Sequence, residues 1–147
     1  MTWRARSGAR SGGSPTLPVT SERTFLVAGS LLALVGVAAG AFGAHWLEGY
    51  VEPDLLSSFE TGARYQMYHA LALFAVAWVA SRWRQRAAAW AGWAFVVGTV
   101  LFSGSLYLMA LTGQRWLGAV TPLGGVGFLS GWALLAWAAW SFHCGKD

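Results

Sequence analysis

The chain has 147 residues, of which 56% are hydrophobic and 11% are charged, and its formal net charge at pH 7 is +4. This composition departs from that of a soluble globular domain and indicates an integral membrane protein. The positive charge does not indicate nucleic-acid binding, because the basic residues lie in a terminal tail and in short loops. Cys144 is the only cysteine, which excludes an intramolecular disulfide and a multi-cysteine metal site.

The N-terminal segment, residues 1–23, places four arginines among serines and glycines, which predicts a flexible basic tail. Residues 24–47 carry no charge, and as a helix they would extend about 36 Å, enough to cross a hydrocarbon core of about 30 Å. The basic start and the Ala-Gly-Ala sequence also resemble a secretory signal, but the apolar run is longer than that of a typical signal. We therefore predict that this segment is retained as the first transmembrane helix.

Three further apolar runs predict transmembrane helices over residues 64–81, 87–111 and 116–142. Residues 24–142 would thus form a four-helix transmembrane domain, followed by a short C-terminal tail of residues 143–147. The expected fold is all-α, a polytopic membrane protein with its four helices in a compact bundle.

Two local patterns refine this architecture. In the acidic segment before the second span, Leu55, Leu56 and Phe59 have a spacing that predicts a short interfacial helix. Early in the fourth span, Pro122 lacks a backbone N–H and is followed by two glycines, so we expect a helix kink or break there.

The arginines predict the orientation of the domain. The four arginines of the tail precede the first span, and Arg82, Arg84 and Arg86 join the second and third spans, whereas the first loop is acidic. By the positive-inside rule, both termini face the cytoplasm, in what we expect to be a bacterial inner membrane. Tryptophans gather near the predicted boundaries, as in an aromatic belt.

Two pairs of glycines have the G-x-x-x-G spacing: Gly36 with Gly40, and Gly127 with Gly131. Small residues at this spacing let transmembrane helices approach closely. They can compact the four helices of one chain or join two copies, and we favour packing within the chain.

On this topology, polar residues from all four spans fall in the outer half of the membrane. We call them the outer polar cluster: His45, Glu60, Arg64, Tyr65, Gln66, Tyr68, His69, Ser103, Ser105, Tyr107 and Thr121. The inner halves of the second and third spans are apolar apart from indole nitrogens. A channel or proton relay would show polar positions across the full thickness, so this pattern does not favour one.

Glu60 and Arg64 are four residues apart and would most simply neutralise each other on one helix face. If Arg64 points into the bundle instead, it would form a site for an anion or a polar headgroup. His69 is expected to be a neutral hydrogen-bonding group that joins two helices. A metal site with His45 would have too few ligands, so we predict neither a metal nor a cofactor.

The sequence contains no paired intramembrane carboxylates, no zinc-protease motif, no nucleophile elbow and no phosphate loop. Ser103 or Ser105 with His69 would be a conceivable nucleophile and base, but serines in spans usually bond to their own helix backbone. We therefore expect a non-enzymatic protein that contacts membrane lipids, with a membrane-protein partner or a homo-oligomer also conceivable. The alternative is a small-solute transporter or its subunit, with Pro122 at the moving part.

Four motifs occur in order along the chain: Ala41-Phe42-Gly43-Ala44-His45, residues 59–71 with the run Tyr-Gln-Met-Tyr-His, residues 102–107, and Thr121-Pro122-Leu123-Gly124-Gly125. With them, residues 24–142 resemble the YgdD-type family of small inner-membrane proteins of unknown function, which also has eukaryotic relatives. The resemblance implies a four-helix membrane protein without an agreed biochemical activity. The basic extension before Thr24 departs from the shorter starts of that family.

Overall fold

The computed structural model describes residues 20–83 and 86–143, and these ranges are helical apart from short connections. Four long helices run in alternating directions: α1 (Thr20–Phe42), α2 (Pro53–Trp83), α3 (Arg86–Thr112) and α4 (Thr121–His143). A π-helical segment, Gly43–Leu47, continues α1, and a 3-10 helix, Arg115–Ala119, precedes α4. Most of the predicted basic tail, Arg84, Cys144 and the end of the C-terminal tail lie outside the described residues.

The helices begin and end where the local sequence requires it. Pro53 occupies the first position of α2, where its missing N–H is not needed. After α3, Gly113 adopts a φ of 71°, and its N–H donates to the carbonyl oxygen of Met109 at 2.9 Å. This is a left-handed cap of the kind that glycine favours at helix C-termini.

Alternation of the helices gives the domain two chemically different ends. The basic end carries Arg23, Arg82 and Arg86, near the start of α1 and the junction of α2 with α3. The acidic end carries Glu52 and Asp54, near the start of α2. The guanidinium of Arg82 lies 6.0 Å from the ring centre of Trp78, within cation–π range.

The main apolar core lies between α2 and α3 and toward the basic end, with Phe25, Leu73, Val76 and Phe95 among its fully buried side chains. A smaller core of Leu47, Leu55, Phe59 and Ala110 lies at the acidic end. Each helix packs mainly on its neighbours in sequence, so α2 and α3 are central and α1 and α4 flank them. Over the described ranges, no Cα atoms of α1 and α4 lie within 8 Å of each other, and the bundle is more open than predicted.

The flanking helices expose large apolar side chains, including Leu34 (66%) on α1 and Leu129 (73%) on α4. Extended apolar surface of this kind is typical of contact with lipid. Three stretches are long and apolar enough to cross a membrane: Glu22–Leu47, Arg86–Thr112 and Arg115–Ser141. In α2 the charge-free residues 65–81, between Arg64 and Arg82, cover about 26 Å, slightly less than a core of about 30 Å.

One feature of the helices differs from the sequence-based expectation. The short interfacial helix is not separate, since α2 runs without interruption from Pro53 to Trp83 and includes those residues. It is continuous because Leu55 and Phe59 pack on the same small core that covers Leu47 and Ala110. The predicted fourth span contains the expected helix break, since the 3-10 helix ends at Ala119 and α4 begins at Thr121.

Pro122 lies in the first turn of α4. Of the two expected alternatives, the structure therefore has the break: α4 starts there, at a position where proline is tolerated, and no continuous helix is kinked at Pro122.

Glycines set the closest approaches between helices. A Cβ added at Gly124 of α4 would lie 2.4 Å from the backbone nitrogen of Phe102 in α3, and one at Gly127 would lie 3.0 Å from the Cα of Gly98. At Gly131 it would lie 2.5 Å from the Phe95 ring. On α1, Gly36 faces the Gln66 side chain, whereas a Cβ at Gly40 would meet nothing within 4 Å. Gly98, Gly124 and Gly127 thus allow α3 and α4 to pack backbone to backbone.

Candidate functional site

Gln66 connects three helices in the middle of the outer polar cluster. Its side chain is 3% exposed. Nε2 donates to the carbonyl oxygen of Leu32 in α1 at 2.8 Å, and Oε1 accepts the hydroxyl hydrogen of Tyr107 in α3 at 3.0 Å. Both ends of the amide therefore have partners on neighbouring helices, as a buried polar group requires.

Ser103 and Ser105 connect α3 to the helices on either side. The hydroxyl of Ser103 donates to the carbonyl oxygen of Gly62 in α2 at 2.8 Å. The hydroxyl of Ser105 lies 2.9 Å from the carbonyl oxygen of Phe102 and 2.9 Å from the hydroxyl of Thr121 at the start of α4. Both serines are buried, and neither bonds to His69.

His69 is 5% exposed and joins α2 to α4. Its Nδ1 lies 2.8 Å from the carbonyl oxygen of Tyr65, and its Nε2 lies 3.3 Å from the indole nitrogen of Trp132. A carbonyl can only accept and an indole N–H can only donate, so the ring is neutral with its proton on Nδ1. The ring also stacks on Phe128, with centroids 3.4 Å apart and planes 3° apart.

The other members of the cluster remain at the surface. His45 is exposed in the π-helical segment and is not part of the interhelical network. Glu60 and Arg64 are exposed and, within the described ranges, form no ion pair with each other. Tyr65 and Tyr68 are 39% and 54% exposed. Six members of the cluster thus form hydrogen bonds between helices, namely Gln66, His69, Ser103, Ser105, Tyr107 and Thr121, and the other five are exposed.

The ion pairs at the acidic end involve a different arginine. Arg115 of the 3-10 helix donates to the carboxylates of Glu52 and Asp54, one guanidinium nitrogen to each. The hydrogen bond from Arg115 lowers the pKa of the Asp54 carboxyl below its ordinary value of 3.8. All three side chains are more than half exposed, so the pairs tie two connections together at the surface.

A lateral groove of about 630 Å³ opens between α2 and α4 beside this network. Its walls are largely aromatic and aliphatic, and Phe102 contributes from α3. The lining residues are Tyr65, Tyr68, His69, Phe102, Pro122, Gly125, Val126, Phe128, Leu129 and Trp132. The paired His69 is its most deeply buried polar side chain.

Sequence reasoning did not identify Trp132, Phe128 or the carbonyl of Gly62 as partners of the cluster. A signal was present for two of them, because Thr121, Gly125, Phe128 and Trp132 follow the helical spacing of four, three and four residues. The carbonyl of Gly62 carries no side-chain signal. The described residues contain no group of three or more His, Cys, Asp or Glu side chains that could hold a metal ion.

Comparison with known proteins identifies relatives over most of the chain. Residues 39–125 match the family described as "Protein of unknown function (DUF423)". The UPF0382 membrane protein YwdK of Bacillus subtilis is 46% identical over 118 residues, covering 80% of this chain and 96% of the relative. A UPF0382 membrane protein of Staphylococcus haemolyticus is 43% identical over 120 residues, covering 82% and 98%.

No solved structure matches the chain. The relatives are called membrane proteins, in agreement with the apolar helices described above. On the identity and coverage of these matches, the chain belongs to the UPF0382 (DUF423) family of membrane proteins of unknown function.

Proposed function

We propose that this protein is a non-enzymatic, four-span protein of the bacterial inner membrane whose outer polar cluster fixes helix packing and presents Arg64 to lipid headgroups. One observation supports this proposal most strongly. The side-chain amide of Gln66 is hydrogen-bonded to α1 and α3, whereas Arg64 on the same helix is exposed. Buried members thus hold the helices together, and an exposed cation is left for an anion. A membrane-protein partner or a second copy is the competing ligand for Arg64.

The hydrogen bonds of the cluster favour a structural role over catalysis. A nucleophilic serine needs a base within hydrogen-bond reach, but the hydroxyls of Ser103 and Ser105 are bonded to carbonyl oxygens and to Thr121. Both ring nitrogens of His69 are also occupied. Hydrogen bonds that pair the donors and acceptors of neighbouring helices are what is needed to orient helices in lipid.

A solute transporter is the weaker alternative. Toward the basic end, the space between α2 and α3 is filled by Leu73, Val76, Ala91 and Phe95, each with no exposed surface. Among the described residues, these four apolar side chains supply no polar group to accompany a solute, and a transport path needs such groups or a hydrated cavity.

We propose that α2 is the fourth span, because it packs between α1 and α3, both of which are long and apolar enough to cross the membrane. Arg23, Arg82 and Arg86 at the basic end support a cytoplasmic position for that end, by the positive-inside rule. Reporter fusions at the two termini should both give cytoplasmic signals. A periplasmic C-terminus would refute both the span count and the outward position of Arg64. We also propose that the chain is related to the YgdD-type proteins, which its four motifs resemble.

Lipid retention tests the headgroup contact. The full chain is purified in mild detergent, and bound lipids are measured by native mass spectrometry. Arg64→Ala should lose anionic phospholipid with little change in thermal stability, because Arg64 is exposed and has no ion pair in the described part of the chain. Arg115→Ala is the matched control, since that arginine lies at the same end but is paired with Glu52 and Asp54. Equal retention in Arg64→Ala and the unmodified protein would refute the proposal.

A further inference from the structure

We propose that the groove between α2 and α4 holds one acyl chain of an anionic phospholipid whose phosphate pairs with Arg64. This inference rests on the proposed function, because Arg64 is the headgroup contact in both. It adds the location of the chain and a stoichiometry of one lipid per groove.

The dimensions of the groove suit a chain in one leaflet. On α4 its lining extends from Pro122 to Trp132, which is about 15 Å along the helix axis. This length is about half of a hydrocarbon core of about 30 Å. The volume of about 630 Å³ lies within the range of about 300 to 1,000 Å³ that is usual for small-molecule sites.

The wall of the groove suits an apolar, flexible occupant. Phe102, Phe128 and Trp132 present ring surface, and His69 offers no free ring nitrogen because both are paired. Gly125 leaves part of the α4 wall without a side chain, and a Cβ there would meet nothing within 4 Å. A hydrocarbon chain can therefore enter beside α4 without displacing protein atoms.

A cation one helical turn before the groove favours an anionic headgroup. Arg64 is four residues before Tyr68, so it lies on the adjoining face of α2. Helical side chains lean toward the helix N-terminus, which directs Arg64 toward the acidic end of the domain and the membrane surface. Arg115 has two carboxylate partners at that end, whereas Arg64 has none within residues 20–83 and 86–143.

The tyrosine hydroxyls add hydrogen-bonding groups beside this cation. Tyr65 and Tyr68 line the groove and are partly exposed, and their hydroxyls take part in no hydrogen bond within the described residues. They can donate to phosphate or ester oxygens while their rings contact the chain.

Photolabelling tests the position of the chain. The full-length protein is reconstituted in phosphatidylcholine vesicles containing phosphatidylglycerol with a diazirine in one acyl chain, irradiated, and analysed by peptide mass spectrometry. We expect labelling to concentrate in residues 65–69 and 125–132, above that of the exposed α1 residues Leu31 and Leu34. Equal labelling of the α1 surface and the groove would overturn the proposal.

Gly125→Leu should reduce labelling of the groove to the level of the α1 surface, because the new side chain occupies open space in the wall. Gly104→Leu is the matched control: a Cβ there also meets nothing within 4 Å, but Gly104 lies on α3 outside the groove lining. Thermal unfolding in detergent establishes that both variants fold. Unchanged groove labelling in a folded Gly125→Leu variant would overturn the proposal.

Arg64→Gln should reduce labelling by the phosphatidylglycerol probe about fivefold, the effect expected for one basic residue near an anionic surface. If Arg64→Gln lost lipid but Gly125→Leu left the labelling unchanged, the proposed function would stand, and the position of the acyl chain in the groove would be refuted. No effect of Arg64→Gln would refute the anionic headgroup contact in both. Two further outcomes would assign a different occupant to the groove and overturn the inference. One is displacement of the probe by an isoprenoid quinone but not by unlabelled phosphatidylglycerol. The other is cross-links that join two copies of the chain through the groove.

Discussion

Trp132 of α4 donates its indole N–H to Nε2 of His69 in α2, across a distance of 3.3 Å. These two helices are not neighbours in sequence and meet much less extensively than α2 with α3 or α3 with α4. The bond therefore sets the position of α4 relative to α2 at one end of the groove. The imidazole also stacks on Phe128, so one side chain makes both a polar and an aromatic contact with α4.

Replacing His69 with alanine should destabilise the protein by about 1 to 3.5 kcal/mol. This figure combines an interhelical hydrogen bond in a membrane, about 0.6 to 2 kcal/mol, with an aromatic stack of about 0.5 to 1.5 kcal/mol. The free energy of unfolding in mixed micelles, measured by denaturant titration, provides the check. His69→Phe should recover part of the loss, because it restores the stack but not the acceptor.

His45→Ala is the matched control for that experiment, since His45 is exposed in the π-helical segment. We expect its unfolding free energy to stay within about 0.5 kcal/mol of the unmodified protein, as for ordinary surface substitutions. If both histidine variants were equally stable, His69 would not be the link between α2 and α4 that the geometry indicates.

The hydrogen bond between Gln66 and Tyr107 should appear as a coupling energy. Gln66→Leu removes the bonds to Leu32 and Tyr107, whereas Tyr107→Phe removes only the second. The double-mutant cycle should give a coupling of about 0.6 kcal/mol and at most about 1.7 kcal/mol, the range measured for hydrogen bonds between membrane helices. Gln114→Leu, an exposed position in the connection before α4, serves as the uncoupled comparison. A coupling of zero would show that the amide and the phenol act independently.

Helix locations could be predicted from the sequence because apolar length and charge-free runs directly reflect membrane thickness. The contact between Gln66 and Tyr107 agrees with the level that the sequence gives to both residues, since antiparallel helices put a residue near the start of one beside a residue near the end of the next. The continuity of α2 could not be predicted, because it depends on Leu55 and Phe59 packing against Ala110, more than fifty positions away. The partner of Arg64 could not be predicted either: the i, i+4 rule favoured Glu60, but the ion pairs in the described part of the chain join Arg115 to Asp54 and Glu52.

Lowering the pH should weaken the link between the two connections at the acidic end. Arg115 lowers the pKa of Asp54, so ionised Asp54 is favoured in the folded protein. The resulting stabilisation is fully present above the ordinary carboxyl pKa of 3.8 and is lost as the pH falls through the lower folded value. Thermal stability measured from pH 6 down to pH 2 should fall less steeply in Asp54→Asn than in the unmodified protein. Parallel pH profiles would show that the pair contributes nothing, and high salt should bring the two profiles together.

Adjacent glycines at the start of α4 should respond oppositely to alanine. A Cβ at Gly124 would lie 2.4 Å from the backbone nitrogen of Phe102, so Gly124→Ala must push α3 and α4 apart. We expect a loss of about 1 to 3 kcal/mol, the usual effect of overpacking. At Gly125 a Cβ meets nothing within 4 Å, and Gly125→Ala should be neutral or stabilising by up to about 1 kcal/mol, because alanine favours the helix.

This pair of variants separates backbone packing from helix propensity, because the two positions differ by one residue and receive the same methyl group. Unfolding free energies in the same micelles give the comparison. If Gly124→Ala were as stable as Gly125→Ala, the close contact between α3 and α4 would not limit the fold. If both variants lost stability equally, the glycines would be needed for helix geometry at the Pro122 turn and not for the space that they leave.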